Sequence, residues 1–430
     1  MPISDMAQIF IESVLKMLPP INSGNTSYIL FCAAMVMVMT PALAFFYGGL
    51  VQKKNLLTIM MQCFVSAGVS TILWVAVGYS MCFGPSMGGI IGDPTHYAFM
   101  RNMSLTTLYN NDPVLGIPLL VHFVYQMMFA IITPTLITGA FANRMSFKAW
   151  LWILVLWQLF IYYPFVHMIW SPEGMMAKWG VLDFAGGVVV HNTAGFASIA
   201  SVLYLGKRKV VHDHPHSLTM VAVGTTFLWF GWFCFNSGSE FRVDQIEVSA
   251  FVNTHLAAGF AGVVWLIYEW IHTGKPKVLG FMTGSIAGLA TITPAVGFVS
   301  PTMACVIGML ASLVCYSAVL FKNKIGLDDA LDVWPVHGVG GLMGMLWLGL
   351  FADKTWNPTL WSNGLLFGGD PKFFGVQVLS VVVSSIWAFF VTLAIFWVVD
   401  RITKVRVPES FEEVGLDISL HGELAEVNDH

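Results

Sequence analysis

The runs DFAGGVVVH at residues 183–191 and DVWPVHGVGG at residues 332–341 each place a histidine, His191 and His337, inside an otherwise apolar stretch. Burying an ionisable group among hydrocarbon is costly, so such a residue normally faces a partner or a path. Two of them point to a pair. Outward from these runs the chain stays apolar. Of its 430 residues 57% are hydrophobic and 10% charged, with mean hydropathy +0.74, whereas a soluble domain carries about 25% charged residues. The expected class is an all-α polytopic membrane protein.

Windows long enough to cross roughly 30 Å of hydrocarbon fall at residues 27–51, 56–83, 116–141, 149–170, 184–205, 217–237, 249–271, 278–299, 301–321, 333–352 and 374–399. Glu269, near a window end, is their only Asp, Glu, Lys or Arg. Eleven spans put the termini on opposite sides. Of the twenty Lys and Arg, fourteen fall in one set of loops and six in the other, which predicts a cytoplasmic C-terminus and an outer N-terminus. Localisation is expected in the cell (inner) membrane. The net charge of -4 says little about partners, because basic and acidic groups lie on different surfaces. Residues 1–26 contain Glu12 and Lys16 and no small-residue cleavage site, so they read as a retained extracytoplasmic segment. The six cysteines, in or at the ends of apolar windows and without CxxC spacing, read as free thiols.

Windows one to five and six to ten form two equal sets. An odd repeat unit enters the membrane in opposite senses, the arrangement of inverted-repeat transporters. The expected organisation is a first half at 27–205, a second half at 217–352, an eleventh helix at 374–399 and a tail at 400–430. His191 and His337 then occupy corresponding spans. Gly186, Gly187, Gly338 and the GxxxG from Gly340 to Gly344 allow close helix approach, although packing alone explains glycines.

The runs FFYGGLVQKKN (45–55), YQMMF (125–129), HMIW (167–170), DFAGGVVVH, GWFCFNSGS (231–239), TPA (293–295) and VHGVGG (336–341) together resemble the ammonium transporter (Amt/Mep/Rh) family, in its Amt branch. The resemblance runs from about residue 27 to the tail. It implies ammonium, ammonia and methylammonium as substrates. Trp170, Ser239, Phe129 and Asp183 would recruit ammonium, Phe129 and Phe235 would gate, and His191 and His337 would line the pore. Phe46, Tyr47 and Thr293 would lie at the cytoplasmic mouth. A homotrimer and, in bacteria, a cytoplasmic PII signalling protein would be partners.

Physical chemistry supports these roles from another direction. An aromatic face with a nearby hydroxyl replaces part of a cation's water through cation–π attraction of about 0.5–2 kcal/mol and a hydrogen bond. Tyr125 with Phe129, and Phe235 with Ser239, are four apart and share helix faces. A desolvated ion is costly in a dry path, while neutral ammonia is not. Blander readings stand beside each role. Trp170 fits an interfacial belt, the phenylalanines fit plain packing, and Asp183 fits a helix cap. Two histidines without further ligands supply too few donors for a metal, so neither metal nor cofactor is expected, nor nucleic acid. Alternative functions are an ammonium-sensing receptor with little flux, or a membrane metalloenzyme needing a third ligand.

Three positions depart from the family pattern. Val188 stands where many relatives have Thr, Asn143 replaces a Glu, and Pro335 replaces a Gly. The polar tail, with its GLD element at Gly415, Leu416 and Asp417, is expected to regulate transport by docking on basic loops such as Lys207–Lys209.

Overall fold

The computed structural model describes residues 21–211 and 214–425. Most of the expected segment 1–26, with Glu12 and Lys16, lies outside the described residues, as does the end of the tail from 426. Among the described residues ten helical stretches are long and apolar enough to cross a membrane. They are α1 (Ser23–Leu50), α2 (Lys53–Phe83), α3 (Leu119–Gly139), α4 (Phe147–Trp179, bent after Trp170), α5 (Gly187–Leu205), α6 (Leu218–Glu240), α7 (Gln245–Thr273), α9 (Pro301–Lys324), α10 (Trp334–Phe351) and α11 (Pro371–Ile402). The eighth window forms a shorter helix, α8 (Val278–Ile292). The only strands among the described residues are a two-residue pair, Ser86–Met87 with Ile91–Gly92. The molecule is therefore all-α.

Helix starts follow local chemistry. Asn22, Ser217, Asp244, Ser300 and Asp370 each cap the helix behind them by accepting a backbone N–H, and Pro301 and Pro371 occupy first positions, where a missing N–H costs nothing. Window eight ends early for a related reason. Pro294 has no N–H and its ring collides with the preceding turn, so residues 293–299 leave the helix although they remain apolar. Exposed backbone polar groups are not tolerated in hydrocarbon unless protein covers them. Here Asn253 donates to the carbonyls of Val296 (2.8 Å) and Val299 (2.9 Å), and Asn357 to that of Gly297 (2.9 Å).

α5 and α10, the fifth helices of the two halves, meet at the centre. Each opens in a π-helical turn, Gly187–Asn192 and Trp334–Val339, and each turn carries its histidine. The wide turn rotates a side chain away from the regular helical stripe and is common at functional sites. The backbones nearly touch: a Cβ added at Gly195 would lie 2.1 Å from the Cα of Gly338. α11 closes the back of α5, where the Asn192 amide donates to Ser384 (2.8 Å) and Ser385 (3.0 Å), polar contacts that hold helices together in lipid.

The tail is built into the fold. Val405, Val407 and Leu416 are buried. The tail pairs with the α3–α4 loop, Ser146 N–H to Val405 O (2.8 Å) and Val407 N–H to Arg144 O (3.1 Å). Arg406 donates to Leu205 O at the end of α5 (2.8 Å) and to the Glu412 carboxylate (2.6 Å). Glu412, on the short helix α12 (Glu409–Val414), also accepts from Lys209 N–H (2.8 Å). Asp417 caps α2, accepting from Leu57 N–H (2.9 Å), Thr58 N–H (2.8 Å) and the Thr58 hydroxyl (2.8 Å). Charge docking on loop 207–209 is thus only part of the contact. Much of it is buried backbone hydrogen bonding to three loops of the same chain.

Candidate functional site

Three cavities line up through the helix bundle. The cavity on the side away from the tail has a volume of about 190 Å³ and is lined by Trp170, Ser239, Gln126, His122, Phe184 and Phe241 among others. Trp170, the last residue before the bend in α4, is oriented by its indole N–H, which donates to Asp183 O (2.8 Å). Ser239, at the end of α6, donates to Phe235 O (2.9 Å) and lies 3.2 Å from the Tyr125 hydroxyl. With its proton on Phe235 O and the Tyr125 hydroxyl beside it, Ser239 keeps one lone pair for a donor in the cavity.

Asp183 enters this site through its carbonyl. Its carboxylate accepts the N–H groups of Gly186 (2.9 Å), Gly187 (2.6 Å), Val188 (2.8 Å) and Val189 (3.2 Å), the open donors at the start of a helix. It does not line the cavity. The capping half of the expectation for Asp183 is what the geometry displays.

Below the cavity Phe129 and Phe235 lie with ring centroids 4.2 Å apart, and Trp170 meets Phe129 edge-on at 5.8 Å. Beyond them an almost wholly apolar gap of only about 20 Å³ is lined by His191, His337, Trp232, Leu136 and Phe235, among others. The Nδ1 atoms of His191 and His337 are 3.2 Å apart. That contact requires one Nδ1 to carry a hydrogen and the other to be bare, so the two rings hold opposite tautomers when neutral. One Nε2 is then an acceptor and the other an N–H donor. His191 Nε2 has no hydrogen-bond partner, and Trp232 stacks on the His191 ring at 5.5 Å.

The third cavity, about 230 Å³, opens on the tail side between Phe46, Tyr47, His337, Asp332, His214 and Thr283. Phe46 and Tyr47 line both this cavity and the gap. Thr293 does not. Its hydroxyl accepts from the Trp232 indole (3.0 Å), behind the histidines, because Pro294 ends α8 away from the tail. Thr283, one helix end earlier, holds the tail-side position.

Sequence reasoning therefore brought together Trp170, Ser239, Phe129, Phe235, His191, His337, Phe46 and Tyr47 along one line. It missed His122, Gln126, Trp232, Asp332 and His214. His122 had the same signal as the pair, a histidine in an apolar window, but no counterpart in the other half. The departures are accommodated locally: Asn143 has φ +69°, a conformation asparagine tolerates better than glutamate, and Pro335 sits at the start of the second π-turn.

Comparison with known proteins agrees with this architecture. The sequence pattern of the Ammonium Transporter Family matches residues 27–426. The chain is 40% identical to Ammonium transporter 1 of Dictyostelium discoideum over 98% of this chain and 91% of that protein. It is 41% identical to an ammonium transporter of Aquifex aeolicus over 94% of each. Among solved structures, Mep2 of Candida albicans superposes with a TM-score of 0.84 at 32% identity, covering 94% of this chain and 90% of that one. A protein titled Sensor Amt Protein gives 0.83 at 29%, covering 93% and 98%. A match across nearly the whole chain, on the fold just described, makes this multi-pass membrane protein a member of the ammonium transporter family.

Proposed function

We propose that the protein recruits ammonium at Trp170, Ser239 and Phe129, with Asp183 holding the indole in place, and conducts ammonia past the Phe129–Phe235 gate and the His191–His337 pair. The observation that carries this reading is the histidine pair itself, sharing one hydrogen bond in a 20 Å³ apolar gap between two larger cavities. A bare cation in so dry a space loses solvation on the order of tens of kcal/mol. Ammonium avoids that cost by leaving a proton behind before the gap, and potassium has no proton to leave. The paired imidazoles then give ammonia one acceptor and one donor on its way to the mouth at Phe46 and Tyr47. The excess of Lys and Arg in the tail-side loops supports a cytoplasmic tail, and family membership supports the cell (inner) membrane. A homotrimer and a PII-type partner at the tail-side mouth complete the proposal by family membership.

A second reading, an ammonium sensor with minor flux, is favoured by the likeness to the protein titled Sensor Amt Protein and by the tail clasped to three loops. Uptake of radiolabelled methylammonium by purified protein in liposomes separates the two: saturable uptake supports transport, and binding without uptake supports sensing. Trp170→Leu removes a π face worth about 0.5–2 kcal/mol, so half-saturation should rise roughly two- to thirtyfold. An unchanged half-saturation would exclude Trp170 from recruitment.

A further inference from the structure

α3 carries two polar side chains one turn apart, His122 and Gln126, that neither the gate nor the histidine pair uses. Both are at least nine-tenths buried and both line the cavity that contains Trp170 and Ser239. Each ends in a polar atom without a partner, Nε2 of His122 and Oε1 of Gln126. Buried polar atoms are nearly always hydrogen-bonded, and residues four apart on a helix face the same way. Two unpartnered polar atoms therefore belong to side chains that line one small cavity.

The His122 ring is held in place. Its Nδ1 is 3.0 Å from the Tyr79 hydroxyl, its face stacks on Tyr109 at 3.7 Å with planes 10° apart, and Phe83 abuts it edge-on at 4.6 Å. Either group can donate in the Tyr79 contact; the tautomer with its proton on Nδ1 leaves a lone pair on Nε2, and an N–H donor in the cavity selects that tautomer.

The geometry points to His122 Nε2 and Gln126 Oε1 as ligands for ammonium in the recruitment cavity, a role that rests on the recruitment reading and extends it. Ammonium directs N–H bonds in four directions. His122, Gln126 and the remaining lone pair of Ser239 offer three acceptors, and Trp170 offers a π face. An alkali cation takes oxygen ligands and gains little from an imidazole nitrogen. His122 thus favours N–H donors over potassium before the dry gap is reached.

The test uses the full chain in liposomes, reading half-saturation and maximal rate of methylammonium uptake together with inhibition by potassium. His122→Phe keeps the stack and removes the acceptor; Gln126→Met keeps length and removes the oxygen. Each should raise half-saturation roughly tenfold, the scale of one hydrogen bond to a charged group, with much less effect on maximal rate. Potassium should compete better in His122→Phe and no better in Gln126→Met, which loses an oxygen ligand. His122→Gln, which restores an acceptor, should recover part of the loss. Should His122→Phe fail to fold, Gln126→Met and His122→Gln decide the matter. Wild-type half-saturation in these variants beside a weakened Trp170→Leu would overturn the His122–Gln126 role and leave recruitment standing. Wild-type values in all of them would overturn both. A fall in maximal rate alone would mark the pair as structural.

Discussion

At His191 and His337 the sequence signal and the geometry converge, because an ionisable residue in an apolar window is conspicuous and the 3.2 Å contact gives each a partner. Either histidine replaced by Glu would put an anion in the gap, easing admission of intact cations while breaking the donor–acceptor pairing. His191→Glu and His337→Glu are expected to pass measurable potassium current on solid-supported membranes, where wild type should pass none. If both variants keep wild-type rate and potassium exclusion, the pair is structural. Residues whose role depends on where the backbone ends were less legible. Thr293 belonged to a matched motif, yet Pro294 turns the chain so that its hydroxyl faces Trp232. Asp183 reads from the sequence both as a helix cap and as a recruitment residue. Only the coordinates reveal that four N–H groups surround its carboxylate.

At the scale of the element, a hydropathy window overlaps each of α1 to α11 but does not disclose the internal geometry of any of them. The π-turns at Gly187–Asn192 and Trp334–Val339 leave no mark on an apolar average, and neither does the helix break at Pro294. The glycines were readable as permitting close approach; which backbone each one meets was not. Gly195 is the sharpest case, with the Gly338 Cα 2.1 Å from where a Cβ would sit. Gly195→Ala should therefore push α5 and α10 apart at the turns that aim the histidines, costing about 1–3 kcal/mol as overpacking. A reduced thermal midpoint and a loss of uptake are the expected readouts. Gly68→Ala on α2, where nothing lies within 4 Å, should match or slightly exceed wild-type stability. Equal behaviour of the two variants would mean the α5–α10 contact is slack.

On the scale of the whole molecule, the tail joins three loops that are far apart in the sequence. Its charges made it legible as a docking segment, but the buried contacts of Leu416 and Asp417 depend on three-dimensional neighbours that no charge pattern reveals. Asp417→Asn weakens the cap on α2, and caps are worth about 1 kcal/mol. Truncation of residues 411–430 removes the cap and the Glu412 contacts together. Both should change maximal uptake, the truncation more, and leave ammonium over potassium selectivity intact; loss of selectivity would show that the tail shapes the path. High salt should do little to Asp417 and more to the exposed Lys209–Glu409 pair. The loops beneath the tail respond to acid. Burial alone would raise the Asp328 pKa, but hydrogen bonds from Arg208 and the charges of Arg208 and Arg144 pull it below the ordinary carboxylate value. Its stabilising effect is therefore present above the unfolded-state pKa and is lost as pH falls through the lower folded one.

The Asp417 cap has a consequence for how the chain is made. Leu57 and Thr58 belong to α2, whereas Asp417 follows α11 in the chain. The N–H groups at the start of α2 must wait through synthesis of all the later spans for their acceptor. A chain cut short by a late stop codon, or held by a stalled ribosome, inserts its helices with that position still open. The same carboxylate thus distinguishes a chain that has been made past its eleventh span from one that stops short of it.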